Sequence, residues 1–179
     1  MIRRAIRRGV WSLLIGVALL LAAKSPVHAC GTVVKVTYVE SSPDVFLIEY
    51  PDGQDDLLQS VKIDLTTSAA GAYVDTFYGP GRSNADDAVR VDLVQGFAEG
   101  GQVGTVTFKA FAAGDRFTLL VDLDDRGLSG EPDPDHLIGN ELKGGKVTAR
   151  LRSQDGASAE MHGVFDEEGV ATLGSPACA

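Results

Sequence analysis

The sequence predicts an all-β protein: a single antiparallel β-sandwich, immunoglobulin-like or jelly-roll, with about nine to ten strands. Apolar residues recur at every second position in short runs from Thr32 onward. Gly, Pro, Asn and Asp separate these runs, as they do where strands end in turns. One apolar and one polar face is typical of antiparallel sheets packed on one side only. So many short runs favour two such sheets packed face to face.

The runs differ in how regularly apolar and polar residues alternate. The most regular are Val34–Tyr38, Val61–Leu65, Phe117–Leu123 and Val147–Leu151. Weaker alternation marks Val45–Tyr50, Ala72–Tyr78, Val103–Phe108, Ala157–Phe165 and Val170–Leu173. All of these runs have the length of ordinary strands rather than of helices. We therefore expect each to form a strand with its apolar side chains facing the core.

One segment near the middle of the chain fits two kinds of structure. Ser83 and Asn84 could cap a helix that places Val89, Leu93 and Phe97 on one face. The alternation from Val89 to Leu93, with its β-branched residues, fits a strand instead, and we predict the strand. No internal repeat or interdomain linker is visible, so we expect one domain.

Residues 1–29 have the composition of a secretory signal peptide. Four arginines lie within the first eight residues, an apolar run follows at Val10–Ala23, and Val27–Ala29 fits the cleavage positions. The run of 14 residues is shorter than the roughly 20 that span a bilayer, which disfavours a retained membrane anchor. We expect cleavage after Ala29, export to the periplasm or beyond, and a mature domain at residues 30–179 with no transmembrane span.

Two cysteines would remain after that cleavage, Cys30 and Cys178. In an exported domain such a pair favours a disulfide, which here would tie the two ends together. The chain-entropy model gives so long a loop up to roughly 5 kcal/mol of stabilisation. The alternative is a lipid-anchored envelope protein with lipid on Cys30, although this would leave Cys178 unpaired.

The charge distribution excludes one class of function. The chain has 16 Lys and Arg against 25 Asp and Glu, a net charge of −9. Five of the bases and none of the acids lie in residues 1–29, so the predicted mature domain keeps 11 bases against 25 acids, near −14. A domain this acidic repels a phosphate backbone, so we expect no nucleic acid partner.

The densest acidic segment follows the predicted strand Phe117–Leu123. Asp122 and Asp124 should project from the same face, because alternate residues of a strand share a face. Carboxylates so close repel one another unless water or a hard cation neutralises them. Arg126 stands where an EF-hand needs an oxygen ligand, which excludes that motif. Two interpretations stay open: a solvated acidic loop, or a loop-type calcium site built from Asp122, Asp124, Asp125, Asp133 and Asp135.

Support for catalysis is weak. The predicted mature chain has two histidines, His136 in a loop rich in Pro and Asp, and His162 in a predicted strand with an outward side chain. Ser129 lacks the strand-to-helix elbow of a hydrolase nucleophile. Residues as close along the chain as Ser129, Asp135 and His136 rarely form a triad. We predict no enzymatic activity; the alternative is a secreted hydrolase that uses His136 and nearby carboxylates.

Aromatic side chains, on which sugar rings stack, are also few. Trp11 is the only tryptophan and lies in the predicted signal peptide. Tyr73, Phe77 and Tyr78 could form a platform, but they fit core and sheet-surface positions better. The lack of another tryptophan disfavours a lectin or glycosidase function without excluding one built on these three residues.

Several short motifs between Val36 and Val147 form a set. They are Val36–Pro43, Ile63–Ser68, Val74–Thr76, Gly79–Gly81, Ala113–Asp115, Val121–Asp125 and Asn140–Leu142. The set resembles small secreted bacterial proteins known as "aggregation factor core" proteins. This resemblance implies adhesion or surface association without an established activity, and it supplies no catalytic residues.

These observations together predict an exported, non-catalytic β-sandwich module. We expect it to bind an unknown protein or matrix partner at the cell surface or in the periplasm. Calcium is the one candidate cofactor, through the acidic segment.

Overall fold

The computed structural model describes residues 33–52, 55–83, 90–126 and 139–174, which form two five-stranded antiparallel sheets. The sheets pack on each other as an open sandwich, so the predicted all-β sandwich is confirmed. Among the described residues the only helical element is a short 3-10 helix at Gly139–Leu142. In that same part of the chain, no helix is long and apolar enough to cross a membrane.

The strands coincide with the alternating runs of the sequence. In chain order they are β1 (Val33–Val39), β2 (Asp44–Asp52), β3 (Leu57–Asp64), β4 (Tyr73–Ser83), β5 (Arg90–Gln95), β6 (Val103–Ala110), β7 (Arg116–Asp124), β8 (Lys146–Arg152), β9 (Ser158–Val164) and β10 (Val170–Gly174). The largest differences from the predicted bounds are the early start of β3 and the late end of β4. Both strands contain β-bulges there, which interrupt the alternation on which the prediction depended.

Each sheet combines strands that lie far apart along the chain. Sheet A has the order β10-β1-β2-β7-β4, and sheet B has the order β5-β6-β3-β8-β9. The chain passes from sheet A to sheet B three times, between β2 and β3, between β4 and β5, and between β7 and β8. As a result β3, at the centre of sheet B, pairs with β6 on one side and β8 on the other.

The inward side chains of both sheets form one apolar core. The largest fully buried side chains are Tyr50, Phe46, Phe111, Phe117, Phe165, Ile48, Leu58, Ile63, Leu65, Leu119 and Leu142. Burying each of the Phe, Ile and Leu side chains is worth about 1.5–3 kcal/mol relative to exposure. The core uses only the apolar half of each strand, so the outward half remains for the two surfaces of the sandwich.

The segment that fits both helix and strand contains β5, which confirms the predicted strand. Phe97, just after β5, is buried and stacks on Phe77 of β4 with 5.7 Å between ring centroids. Gly104 of β6 leaves room for this contact, because a Cβ there would overlap the Phe97 ring. The stacked pair links edge strand β4 of sheet A to the residues that follow edge strand β5 of sheet B. Asn84 lies outside the described residues.

Several sequence predictions fall on other parts of the chain. The predicted signal peptide at residues 1–29 and the predicted Cys30–Cys178 disulfide lie outside the described residues. Both stay predictions.

Candidate functional site

Carboxylates gather at one end of sheet A, where β7 finishes. Asp122 and Asp124 lie on the outward face of β7, while the Val121 and Leu123 side chains are buried. This is the arrangement that strand alternation predicts. The next residue, Asp125, is also buried, with 1% of its surface exposed.

The pairing of β4 with β7 adds a further carboxylate to this group. Tyr73 of β4 lies opposite Asp124, and Asp75 follows two residues later on β4. We refer to Asp75, Asp122, Asp124 and Asp125 as the acidic end. Its members come from two strands about 50 residues apart along the chain, so strand pairing rather than sequence proximity assembles it.

The crowding shifts the pKa values of the groups at the acidic end. Partial burial, followed by the negative charges of Asp75, Asp122 and Asp125, raises the pKa of Asp124 above its ordinary value. A hydrogen bond from the Tyr73 hydroxyl opposes this in part. Burial and the carboxylates of Asp124 and Asp75 likewise raise the pKa of Tyr73. The ionised form of the acidic end is therefore strained, and either a proton or a cation would relieve it.

The predicted calcium ligands are only partly brought together. Asp122, Asp124 and Asp125 lie at the acidic end, whereas Asp133 and Asp135 lie outside the described residues. Within residues 33–52, 55–83, 90–126 and 139–174, no group of three or more His, Cys, Asp or Glu residues is arranged to hold a metal ion. A calcium site here would need ligands from the segment that contains Asp133 and Asp135.

A second buried carboxylate, which sequence reasoning missed, lies beside the acidic end. Asp44 is 6% exposed and begins β2. Its two oxygens accept hydrogen bonds from the backbone N–H groups of Ser41 at 3.1 Å and Leu123 at 3.3 Å. Burial first, and then Asp44, raises the pKa of the Tyr38 phenol well above its ordinary value. Asp44 therefore ties the β1–β2 turn to the end of β7.

Most of the catalytic candidates of the sequence cannot be placed, because they fall on undescribed residues. Ser129, Asp135 and His136 lie outside the described residues. His162 projects from sheet B with 69% of its side chain exposed, as expected for an outward position.

Two side chains beside His162 imitate part of a catalytic triad. Its Nδ1 lies 3.3 Å from Thr148 Oγ1, and its Nε2 lies 3.5 Å from Glu160 Oε1. The group is solvated on an open face, and β8 and β9 pair in register through these residues. The geometry is that of a polar surface rather than of a nucleophilic site.

The aromatic residues Tyr73, Phe77 and Tyr78 do not share one surface role. Phe77 is partly buried against the core and stacks on Phe97. Tyr73 is half-buried beside Asp124, and Tyr78 is 56% exposed. They follow core and sheet-surface positions, as the sequence favours.

The outward surface of sheet B has the opposite charge from the acidic end. Its cationic side chains alternate with buried residues along β3, β6 and β8. We call the set Lys62, Lys109, Lys146, Arg150 and Arg152 the cationic face. These residues include nearly half of the bases that the chain has outside residues 1–29. In a chain with a net charge of −9, this is a strong local reversal of sign.

Cross-strand pairing orders the cationic face into rows. One row runs Thr107, Ser60, Arg150, Glu160, and the next runs Thr105, Lys62, Thr148, His162. Each row therefore sets hydroxyl groups beside a cation. Neighbouring strands lie about 4.8 Å apart, so adjacent members of a row are within reach of one ligand.

Two adjoining depressions lie on this face. The first, of about 440 Å³, is lined in part by Gln59, Ser60, Thr107, Lys109, Arg150 and Arg152. The second, of about 380 Å³, is lined by Ser60, Lys62, Thr105, Thr148, Arg150 and Glu160. Ser60 and Arg150 belong to both, so the depressions are continuous. A β-bulge between Leu58 and Ser60 lies at the first depression, and bulges commonly redirect side chains beside binding sites.

Carboxylates occur on the cationic face, but singly and beside cations. Arg150 Nε lies 3.0 Å from Glu160 Oε2, and Lys62 Nζ lies 3.5 Å from Asp64 Oδ2. A hydrogen bond from Thr66, and to a smaller extent Lys62, lowers the pKa of Asp64.

A separate acidic loop region bounds the cationic face beyond Arg152. Asp55 and Arg152 line a smaller depression there, of about 270 Å³. Burial, followed by Asp155 and Asp55, raises the pKa of Asp56. The cationic face therefore ends at Arg152.

Comparisons with protein-family models, curated proteins and solved structures give no match for this chain. The resemblance to "aggregation factor core" proteins stays a prediction.

Proposed function

We propose that this chain is an exported, non-catalytic β-sandwich module that binds a partner or matrix component through its cationic face. The observation that carries the proposal is the segregation of charge. Lys62, Lys109, Arg150 and Arg152 lie on one open sheet surface of a strongly acidic chain, beside two continuous depressions. A surface without a binding role needs no such concentration of one sign, since mixed charges suffice for solubility.

Calcium has a separate role in this proposal. It neutralises the acidic end through Asp122, Asp124 and Asp125, with Asp133 and Asp135 completing the ligands. The raised pKa of Asp124 supports this, because a site that favours a proton over bare charge also gains from a divalent cation. Calcium would then stabilise the domain and leave the cationic face to bind.

The proposal is tested by retention of the purified protein on isolated cell envelopes and secreted matrix of the source cells. The double variant Arg150→Gln/Arg152→Gln should be retained at least about tenfold less, since it loses two charged hydrogen-bond donors. Arg116→Gln is the matched control, because Arg116 lies on sheet A and also pairs with a glutamate, Glu49, at 3.8 Å. Equal retention of all three proteins would contradict the proposal.

A further inference from the structure

We propose that the cationic face binds an acidic polysaccharide with about one carboxylate per sugar, along the continuous depressions that share Ser60 and Arg150. This inference rests on the proposed function and names the ligand class of the same face. The polymer would lie over β6, β3 and β8 and run along the strand direction, with its carboxylates against the cations and its hydroxyls against the Ser and Thr side chains.

The cations have the chemistry and the spacing for carboxylates. The guanidinium groups of Arg150 and Arg152 can each hold a carboxylate in a two-pronged hydrogen bond. The two residues are alternate positions of β8, about 6.8 Å apart along the strand. Lys62, on the neighbouring β3, adds a cation on the far side of Arg150 from Arg152. Cations separated by this distance suit a polymer whose carboxylates are also several ångströms apart, rather than one with closely packed charges.

The hydroxyl groups between the cations suit sugars. Ser60 and Thr107 line the first depression, and Thr105 and Thr148 line the second. Each hydroxyl can both donate and accept a hydrogen bond, as a sugar hydroxyl can. Gln59, on the bulge of β3, adds an amide with the same capacity.

The shape of the surface favours a polymer over a small anion. Both depressions are partly open to solvent, and they adjoin through Ser60 and Arg150 rather than enclosing a single pocket. A small anion would leave most of this length empty, whereas an extended chain contacts both parts. The contacts are weak individually, so the polymer gains its affinity from several sugars at once.

Nucleic acid and neutral sugar fit this surface less well. A nucleic acid carries densely spaced phosphates that the net charge of −9 repels. Single strands also stack their bases on exposed aromatic rings, and the residues that line the two depressions include one aromatic, Phe108, which is buried. A neutral sugar would need the same kind of ring and would leave the cations unused.

The net negative charge of the chain does not prevent binding of a sparsely charged polymer. At physiological ionic strength charges are screened beyond about 8 Å. Within that distance a bound carboxylate is dominated by Arg150, Arg152 and Lys62. The opposing charges are Glu160, which pairs with Arg150, Asp64, which pairs with Lys62, and Asp55, which lines a depression with Arg152. An exposed pair of this kind is worth little and is readily exchanged for a ligand.

The test is a titration of the purified protein with a fluorescently labelled oligogalacturonate, in excess chelator and at low salt, with neutral dextran as comparison. We expect saturable binding to oligogalacturonate that weakens as salt is raised, and none to dextran. Arg150→Gln/Arg152→Gln should weaken binding at least about tenfold, and Lys62→Gln should weaken it in the same direction. Arg116→Gln should stay within about twofold of the unaltered protein, while Glu160→Gln should bind about two- to threefold more tightly. Melting curves confirm that each variant is folded.

Several outcomes would overturn the inference. If Arg116→Gln weakened oligogalacturonate binding as much as the double variant does, the polymer would be attracted to positive charge anywhere on the protein rather than to the cationic face. Binding of a single-stranded oligonucleotide as tight as that of oligogalacturonate would reject the polysaccharide as the ligand. Self-association in sedimentation, abolished by the double variant and accompanied by no oligogalacturonate binding, would assign the face to a second copy of the chain.

The same experiments separate this inference from the proposed function. If the protein is retained on envelopes through Arg150 and Arg152 but ignores oligogalacturonate, the ligand class is wrong and the binding role stands. If retention itself does not depend on these residues, both fail.

Discussion

Asp124 and Asp64 are the same residue type at similar places in the fold, yet their environments shift their pKa values in opposite directions. Each is an outward residue at the end of a strand, Asp124 in sheet A and Asp64 in sheet B. Burial and neighbouring carboxylates raise the pKa of Asp124, while Thr66 and Lys62 lower that of Asp64. The acidic end thus gathers like charges, and the cationic face sets each carboxylate beside a donor.

This difference shows on which surface neighbouring groups balance the charges of the carboxylates. On the cationic face, ion pairs and hydroxyl groups already compensate the carboxylates, so the fold needs no ion there. At the acidic end, Asp75, Asp122 and Asp124 repel one another across β4 and β7, and the hydrogen bond from Tyr73 opposes this only in part. We therefore expect calcium to change the stability of the protein through the acidic end. We expect salt to change binding through the cationic face.

The largest expected effect comes from the buried carboxylate that holds the acidic end in place. Asp44→Ala removes the acceptor of the Ser41 and Leu123 N–H groups. The Leu123 N–H is then buried without this acceptor. We expect a loss of about 3 kcal/mol in the free energy of unfolding, measured by urea denaturation. Asp75→Ala is the control at the same end of sheet A, and since Asp75 is exposed it should change the value by less than about 0.5 kcal/mol. Similar small losses in both variants would mean that Asp44 does not anchor this end.

A somewhat smaller effect is expected from calcium. At about 100 times its Kd, calcium should add roughly 2.7 kcal/mol, a rise in Tm of roughly 5–10 °C for a domain of this size. Asp122→Asn/Asp124→Asn should abolish the rise, because two carboxylate ligands are lost.

Removing the two carboxylates of the cationic face is the matched control for calcium. Asp64→Asn/Glu160→Gln makes the same change in charge on sheet B, and it should keep the full response. Melting curves in calcium, in magnesium and in chelator provide the measurement. No shift in calcium would favour the other interpretation of the sequence, a solvated acidic loop.

The two regions also differ in how far the sequence alone could predict them. Alternation along each strand depends on residue type, so it predicted the ten strands and the outward placement of Asp122 and Asp124. Strand pairing depends on the packing of the whole chain, and alternation carries no information about it. The approach of Asp75 to Asp124, and the burial of Asp44 against Leu123, were therefore not predictable.

The cationic face was harder still to predict. Lys62 and Arg150 each appear in the sequence as one polar residue of an alternating run, 88 positions apart. Only the pairing of β3 with β8 makes their rows neighbours. The one local signal was that the polar positions of Val147–Leu151 and its flanks are cations and a threonine rather than carboxylates.

The smallest expected effect is a pH dependence that has opposite signs in the two regions. The folded pKa of Asp124 is raised, so its ionisation destabilises the fold as pH rises through that value. In chelator, Asp124→Asn should therefore be more stable than the unaltered protein at pH 7. The gain should vanish below about pH 4, where the aspartate is protonated in both states.

Asp64→Asn should behave in the opposite way. The folded pKa of Asp64 is lowered, so its ionised form stabilises the fold above the unfolded pKa, and this contribution is lost as pH falls through the folded value. The variant should be less stable at pH 7, and its difference from the unaltered protein should shrink as pH falls through the folded pKa of Asp64. Both differences should stay below about 1 kcal/mol, because the groups are partly solvated. Denaturation at pH 7 and at pH 3 measures the two signs. If both variants shifted stability in the same direction, ionised carboxylates would have the same effect on stability at the acidic end and on the cationic face. The separate roles proposed for the two regions would then lose their electrostatic basis.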